Sequence, residues 1–285
     1  MTGGSMAAFR REVWAFYRKG RRSFPWRDTF DPYAILVSEF MLQQTQVQRV
    51  VTAYPGFLGR FPSLEALAAG SLEEVLERWG RLGYSRRALY LHRTACHIMD
   101  RFHGVLPGTA RELQALPGVG PATAAAVAAF AFGEPTVLLE TNVRSAFIRH
   151  FFPGRELVAD AALRPLVAEA VDRDNPRDWY YALMDLGAFL KQMDRGLTRR
   201  AAAYRTQSAF QGSRRALRAA VVREVLGGRG GREQLEELCA DFGGSGQRAE
   251  AQPRGGHTPE MLAEVLGELE SEGFLRAEGD GYRIA

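Results

Sequence analysis

Leu116-Pro117-Gly118-Val119-Gly120 runs directly into Pro121-Ala122-Thr123-Ala124-Ala125-Ala126-Val127-Ala128-Ala129-Phe130-Ala131-Phe132. The second stretch is a helix by composition, alanine-rich and apolar, with proline at its first position, where the missing N–H is not needed. Residues 109–115 before the turn also read as helical. Two glycines between the segments permit the positive φ values of a tight turn. A backbone bare of side chains there can aim successive N–H groups at one phosphate, at a helix N-terminus. Affinity of that kind does not depend on base sequence. Any Pro-Gly turn between helices looks similar in isolation, so its neighbours decide what it means.

On both sides the pattern stays helical. Apolar residues recur at three- and four-residue spacing through 34–51, 71–79, 88–102, 122–132, 144–152, 162–171 and 179–190. Breakers such as Asp31-Pro32, Pro55-Gly56, Pro107-Gly108 and Asn175-Pro176 separate these runs. The first 210 residues therefore read as short helices in all-α packing. From 227 to 256 the composition shifts to glycine, arginine and glutamate, the mark of a linker, interrupted by a periodic stretch at 234–238. After it, His257-Thr258-Pro259-Glu260 looks like a helix start, with Thr258 as cap and Pro259 at the first position. Gly279-Asp280-Gly281 then turns between two short strands in FLRAEGDGYRI. Helices followed by a terminal hairpin match a winged helix, a module that binds DNA in some proteins and other proteins elsewhere.

The chain has 285 residues, 46% hydrophobic and 25% charged, the composition of a folded globular protein. Its formal charge is +4 and its pI about 9.3. Arginines cluster at Arg199, Arg200, Arg205, Arg214, Arg215 and Arg218. Such a cluster fits an anionic partner such as nucleic acid, and fits a solvated charged face equally well. Cys96 and Cys239 lie far apart and form no CxxC unit, so neither a disulfide framework nor a cysteine metal site is expected. No segment has the length of a membrane span or the h-region of a signal peptide, which gives the expectation of a cytoplasmic protein, nucleoid-associated if bacterial, without a membrane partner.

About twenty residues after the hairpin comes Val137-Leu138-Leu139-Glu140-Thr141-Asn142-Val143-Arg144, an apolar run ending in a carboxylate just before another helix. Upstream stands Asp31-Pro32-Tyr33, then Ser38-Glu39-Phe40-Met41-Leu42-Gln43-Gln44-Thr45-Gln46-Val47. Arg81-Leu82-Gly83-Tyr84, Leu91-His92 and Ala182-Leu183-Met184-Asp185-Leu186-Gly187-Ala188 extend the set. Together, over roughly residues 24–190, these segments resemble the helix-hairpin-helix DNA glycosylase superfamily, and within it most closely the adenine-DNA glycosylases. The resemblance implies an all-α, two-lobed helix-hairpin-helix core, to which the tail adds a small winged-helix-like α+β domain. The expected divisions are 1–30 (packing with the second lobe), 31–133 (six-helix lobe with the hairpin), 134–211 (second lobe) and 212–285 (linker and winged-helix-like domain).

Cleaving an N-glycosidic bond leaves positive charge on the sugar and negative charge on the departing base, so the chemistry asks for an acid toward the base and a carboxylate toward the sugar. By resemblance Glu39 is the acid, which later helps to activate water, and Glu140 faces the sugar. Gln43 and Gln46 continue from Glu39 at helical spacing as a polar stripe in an apolar segment. Gln43 matches a residue that fills the space left by an extruded base, and Gln44 and Thr45 match residues near the opposite base. Asn142 matches a site-organising position, with helix N-capping as its simpler role. Leu116, Gly118, Val119 and Gly120 match the phosphate-gripping turn, and Tyr84 a further DNA contact. Taken singly, Glu39 reads as a surface charge and Glu140 as a helix-end charge.

The resemblance also breaks at particular residues. Where relatives carry four cysteines for an iron–sulfur cluster, residues 190–200 have none, so no cofactor is expected. Packing of Tyr204 and Phe210 is the expected substitute. Ala122 stands where lyase relatives have a lysine, so no Schiff base and no strand cleavage are expected. Glu140 replaces the usual aspartate, and Ser85 follows Tyr84 where a second tyrosine is common. The expected function is a monofunctional base-excision glycosylase acting on duplex DNA with a mispaired or damaged base, adenine opposite guanine or 8-oxoguanine foremost. The alternatives are thymine or uracil opposite guanine, another damaged base, and a non-catalytic DNA-structure-binding protein.

Overall fold

The chain is seen in a computed structural model that describes residues 5–206, 209–210, 212–244 and 258–285. In chain order the helices are α1 (Met6–Lys19), α2 (Pro32–Leu42), α3 (Val47–Arg60), α4 (Leu64–Ala69), α5 (Leu72–Trp79), α6 (Arg86–Phe102) and α7 (Ala110–Leu113). Then come α8 (Pro121–Phe132), α9 (Thr141–Phe151), α10 (Asp160–Ala170), α11 (Pro176–Met193), α12 (Arg214–Leu226), α13 (Arg232–Gly244) and α14 (Pro259–Ser271). Strands β1 (Leu275–Glu278) and β2 (Gly281–Ile284) close the chain. Two compact units emerge, Met1–Pro55 with His97–Thr206, and Gly56–Cys96 with Gln207–Ala285.

In the first unit α11 is the central element and packs against α1, α8 and α9. Trp179, Tyr180, Leu183 and Leu186, at helical spacing, bury against Phe9, Val13, Phe147 and Leu138. Helix α8 is apolar on every side and lies among α2, α7 and α11. Tyr180 pins the extended chain ahead of α9, because its hydroxyl donates to the Thr136 carbonyl and accepts from Leu138 N at 3.1 Å.

Helix α2 starts where the sequence says it should, with the Asp31 side chain accepting from Tyr33 N at 3.0 Å and Pro32 at the first position. It does not run to residue 51. Gln44 adopts φ 52°, which breaks the helical hydrogen-bond ladder, and a new helix begins at Val47. The apolar spacing carries on across the break with no glycine or proline to mark it, so periodicity alone joins two helices into one. The polar stripe from Glu39 to Gln43 and Gln46 is corrected accordingly: Gln43 caps α2 and Gln46 lies beyond the break. The hairpin turn needs one left-handed glycine rather than two. Gly118 has φ 71°, whereas Gly120 is extended (φ −78°, ψ 172°) and caps α8.

In the second unit Ser71 and Glu74 form a reciprocal capping box at the start of α5. Helix α12 packs against α5, α13, α14 and β2, burying Leu217 and Val221. Thr258 caps α14 through Met261 N, with Pro259 at its first position. The strands pair antiparallel from Leu275↔Ile284 to Glu278↔Gly281, leaving Gly279 and Asp280 as the turn. Helices α12–α14 with this hairpin form a small winged-helix-like arrangement. Residues 245–256 of the expected linker, and His257, lie outside the described residues.

Several arginines of the basic cluster are engaged within the fold. Arg214 pairs with Glu264 and, at 2.9 Å, with Glu268, while Arg218 pairs with Glu268 and Glu272. Arg215 lies over the rings of Tyr84 and Phe210. Tyr204 and Phe210, expected to pack in place of a cluster, are 37% and 53% exposed, and Phe210 lies under the Arg215 guanidinium rather than in an apolar core. Among the described residues, no helix is long and apolar enough to cross a membrane.

Candidate active site

A cavity of about 640 Å³ opens in the first unit, within the range of about 300–1,000 Å³ common for small-molecule sites. Glu39, Gln43, Gln44, Thr45, Glu140 and Asn142 all line it. They come from three places in the sequence: the end of α2, the break after it, and the start of α9. Helix α8 contributes Ala122 and Thr123, and α11 contributes Tyr181, Met184, Ala188 and Lys191. Gln43 donates from Nε2 to Thr123 Oγ1 at 3.0 Å, which ties the end of α2 to the first turn of α8. That first turn begins at the hairpin, so the turn and the cavity share one helix.

Glu140 is the N-cap of α9. Its Oε1 accepts from Val143 N at 2.7 Å, and its Oε2 accepts from Asn142 Nδ2 at 2.9 Å. The capping role suggested for Asn142 therefore belongs to Glu140, and Asn142 acts on the cap from within α9. With both oxygens engaged, the carboxylate is held in one orientation while still lining the cavity. Burial pushes the Glu140 carboxyl up, against the pull of the Asn142 and Val143 N–H groups and the charges of Lys191 and Arg144.

Glu39 is subject to burial as well. It reaches the cavity from a helix whose neighbouring residues are buried, and burial pushes its carboxyl up to about 8, with the facing Glu140 adding to the rise and Arg27 opposing it. Arg27 is itself matched in charge. It donates to both Asp185 oxygens, at 3.0 and 2.9 Å, and stacks over Tyr181 at 4.4 Å. Arg22, itself partly exposed, adds a bond from Nε to Asp185 Oδ1 at 2.5 Å. One carboxyl is thus set to carry a proton near neutral pH beside another whose oxygens both accept hydrogen bonds, a pairing suited to acid catalysis with electrostatic stabilisation of a cation.

The remaining residues singled out in the sequence lie elsewhere. Leu116 and Val119 are buried beneath the hairpin turn, while Gly118 and Gly120 expose their backbone. Gly120 offers no side-chain cap to the first-turn N–H groups of α8. Tyr84 belongs to the second unit, where it takes φ 50° and accepts from Arg215 Nη1 at 3.1 Å. The sequence reading missed Arg22, Arg27, Tyr181 and Lys191. Residues 181, 184, 188 and 191 share one helical face, a signal available in the sequence but masked by the apolar residues around it. Among the described residues, no group of three or more His, Cys, Asp or Glu gathers as a metal site.

The profile of the HhH-GPD superfamily of base excision DNA repair proteins matches residues 37–164. An adenine DNA glycosylase of Mycobacterium tuberculosis is 39% identical over 178 residues, covering 61% of this chain and 59% of that protein. The chain thus spans about three fifths of the length of that relative. A thymine-DNA glycosylase of Aeropyrum pernix is 41% identical over 142 residues, 49% of this chain and 64% of the relative. The solved structure of a thermostable thymine-DNA glycosylase superposes with a TM-score of 0.61 at 30% identity, covering 64% of this chain and 86% of that one.

Proposed function

The chain belongs to the HhH-GPD superfamily of base excision DNA repair proteins, and on that footing we propose that it is a DNA glycosylase that hydrolyses adenine from duplex DNA where adenine is mispaired with guanine or 8-oxoguanine. The observation that carries the reading is the convergence of Glu39 and Glu140 on one cavity with unlike surroundings. Adenine rather than another base is supported by the similarity to adenine DNA glycosylases.

In this reading the adenosine is turned out of the duplex into the cavity. Protonated Glu39 donates its proton to a ring nitrogen of the base. The bond from C1′ to the base nitrogen then breaks, and its electron pair leaves with the base. The cationic sugar faces Glu140, which Val143 N and Asn142 hold in place. Glu39, now a carboxylate, takes a proton from the water that adds to C1′. Gln43, Gln44 and Thr45 approach the gap and the opposite base, while the turn at Leu116, Gly118, Val119 and Gly120 grips a phosphate through its N–H groups, and Tyr84 adds a further DNA contact.

Ala122 carries no amine, so the reaction ends at the abasic site without a lyase step. The chain holds two cysteines in all, and a cluster held by four thiolates does not fit it; we read the enzyme as working without one.

A second reading, thymine or uracil opposite guanine, is favoured by the similarity to thymine-DNA glycosylases. Single-turnover release from duplexes carrying A opposite 8-oxoguanine, A opposite G, T opposite G and U opposite G separates the two. Fastest release of adenine is expected. Preference for thymine or uracil transfers the assignment to the second reading, and release from none of them leaves a glycosylase for another damaged base or a non-catalytic DNA-binding protein.

A further inference from the structure

Of the 37 basic residues in the chain, two are lysines, Lys19 and Lys191. Lys191 lines the cavity that holds Glu39 and Glu140. It lies in the last turn of α11, where a cation ordinarily complements the helix dipole and needs no further role. Its register says more. Tyr181, Met184, Ala188 and Lys191 follow one another at spacings of three, four and three, and all face the cavity. Gly187, one turn before Lys191, lets α11 lie against the backbone of Asn142, which brings the end of α11 beside the Glu140 cap.

Two carboxyl groups in one cavity have different roles only if they differ by a proton. The charges around them are unevenly committed. Arg27, which faces Glu39, is matched by Asp185. Arg144, the cation on α9 nearest in effect to Glu140, is matched by Asp160 through two bonds of 2.8 Å. Lys191 acts on Glu140 through space, with Arg22 as the other cation that bears on Lys191. We propose that Lys191 is a positioning residue for Glu140, its ammonium group holding Glu140 as the ionised member of the carboxyl pair. The inference rests on the hydrolytic reading given above.

A lysine suits the task better than the arginine used almost everywhere else in this chain. A compact ammonium group supplies charge without the planar fork that would draw the carboxylate away from Val143 N and Asn142. Burial lowers the Lys191 ammonium and Glu140 raises it, so each ion supports the charged form of the other.

The test is a carbon-13 carboxyl NMR titration of the full chain, with the Glu140 signal assigned through Glu140→Gln. In Lys191→Met the Glu140 midpoint should rise by about one pH unit, and Lys191→Arg should restore most of it. The acid limb of the single-turnover rate should move with the midpoint. Lys191→Gln replaces the methionine variant if that protein does not fold. An unchanged midpoint in the charge-removing variant, Lys191→Met or Lys191→Gln, overturns the proposal, whatever the activity. A shifted midpoint in a protein that releases no base sustains it while sinking the glycosylase reading.

Discussion

A β-carbon built on Gly187 would lie 2.1 Å from the carbonyl oxygen of Asn142. Helix α11 and the first turn of α9 therefore touch backbone to backbone, and the cap formed by Glu140 is fixed by that contact. Gly187→Ala has no flexible side chain to push aside. We expect a loss of about 3 kcal/mol, the upper end of overpacking costs, together with loss of base release as Glu140 is displaced. Urea denaturation checks it, and unchanged stability would show that the two helices separate freely.

Asp185 is 3% exposed and holds both Arg22 and Arg27. Burial alone would raise its carboxyl, but bonds from the two arginines hold it below the ordinary value. Asp185→Asn removes the countercharge and leaves Arg27 buried. Breaking such a pair from one side costs about 3–5 kcal/mol. The melting midpoint should fall, and the Arg27→Met, Asp185→Leu double variant should recover part of the loss. No recovery in the double variant would mean that shape rather than charge matters at this position.

Much of this fold is legible in the sequence because its signals are local. Pro121 after a Pro-Gly turn, Asp31 before Pro32, and Thr258 before Pro259 each mark a helix start through chemistry within a few residues. Glu39 and Glu140 are found through the motifs around them. The break at Gln44 is not legible, since a left-handed glutamine follows from tertiary contacts and not from its own preference. The joining of residues 56–96 to the C-terminal module is equally hidden. It depends on pairs such as Arg86 with Glu272, 186 positions apart, and on α12 against α5. Lys191 is hidden for another reason, because a lysine near a helix end is ordinary until its neighbours are known.

The rise of the Glu39 carboxyl to about 8 has a consequence for stability. Its folded value lies above its ordinary one, so the folded state holds a proton that the unfolded chain releases. Stability from this group is full below about 4.5 and declines as pH rises toward 8. Glu39→Gln removes the dependence. Relative to the parent, the variant should gain stability between pH 5 and pH 8 by at most ~1.4 kcal/mol per unit, and level off above that. Urea denaturation at pH 5.5, 7 and 9 measures the gain, and a constant difference would mean that Glu39 titrates normally.

Among the described residues that line the cavity, Lys191 carries the one side-chain amine, and the pairing with Glu140 proposed above keeps it charged and unreactive toward the sugar. Product DNA should contain an intact abasic site that breaks only on alkali treatment. Borohydride should trap no covalent adduct. Efficient trapping would assign an amine nucleophile and contradict the hydrolytic route.

In the proposed reaction Glu39 supplies the proton that releases the base. Single-turnover release from a duplex with adenine opposite 8-oxoguanine, compared between the parent and Glu39→Gln at matched duplex affinity, tests it most directly. Fast release by the parent, none detectable by Glu39→Gln, and nearly equal binding by both are expected, because the phosphate-gripping turn is untouched. Undiminished release by Glu39→Gln would contradict it.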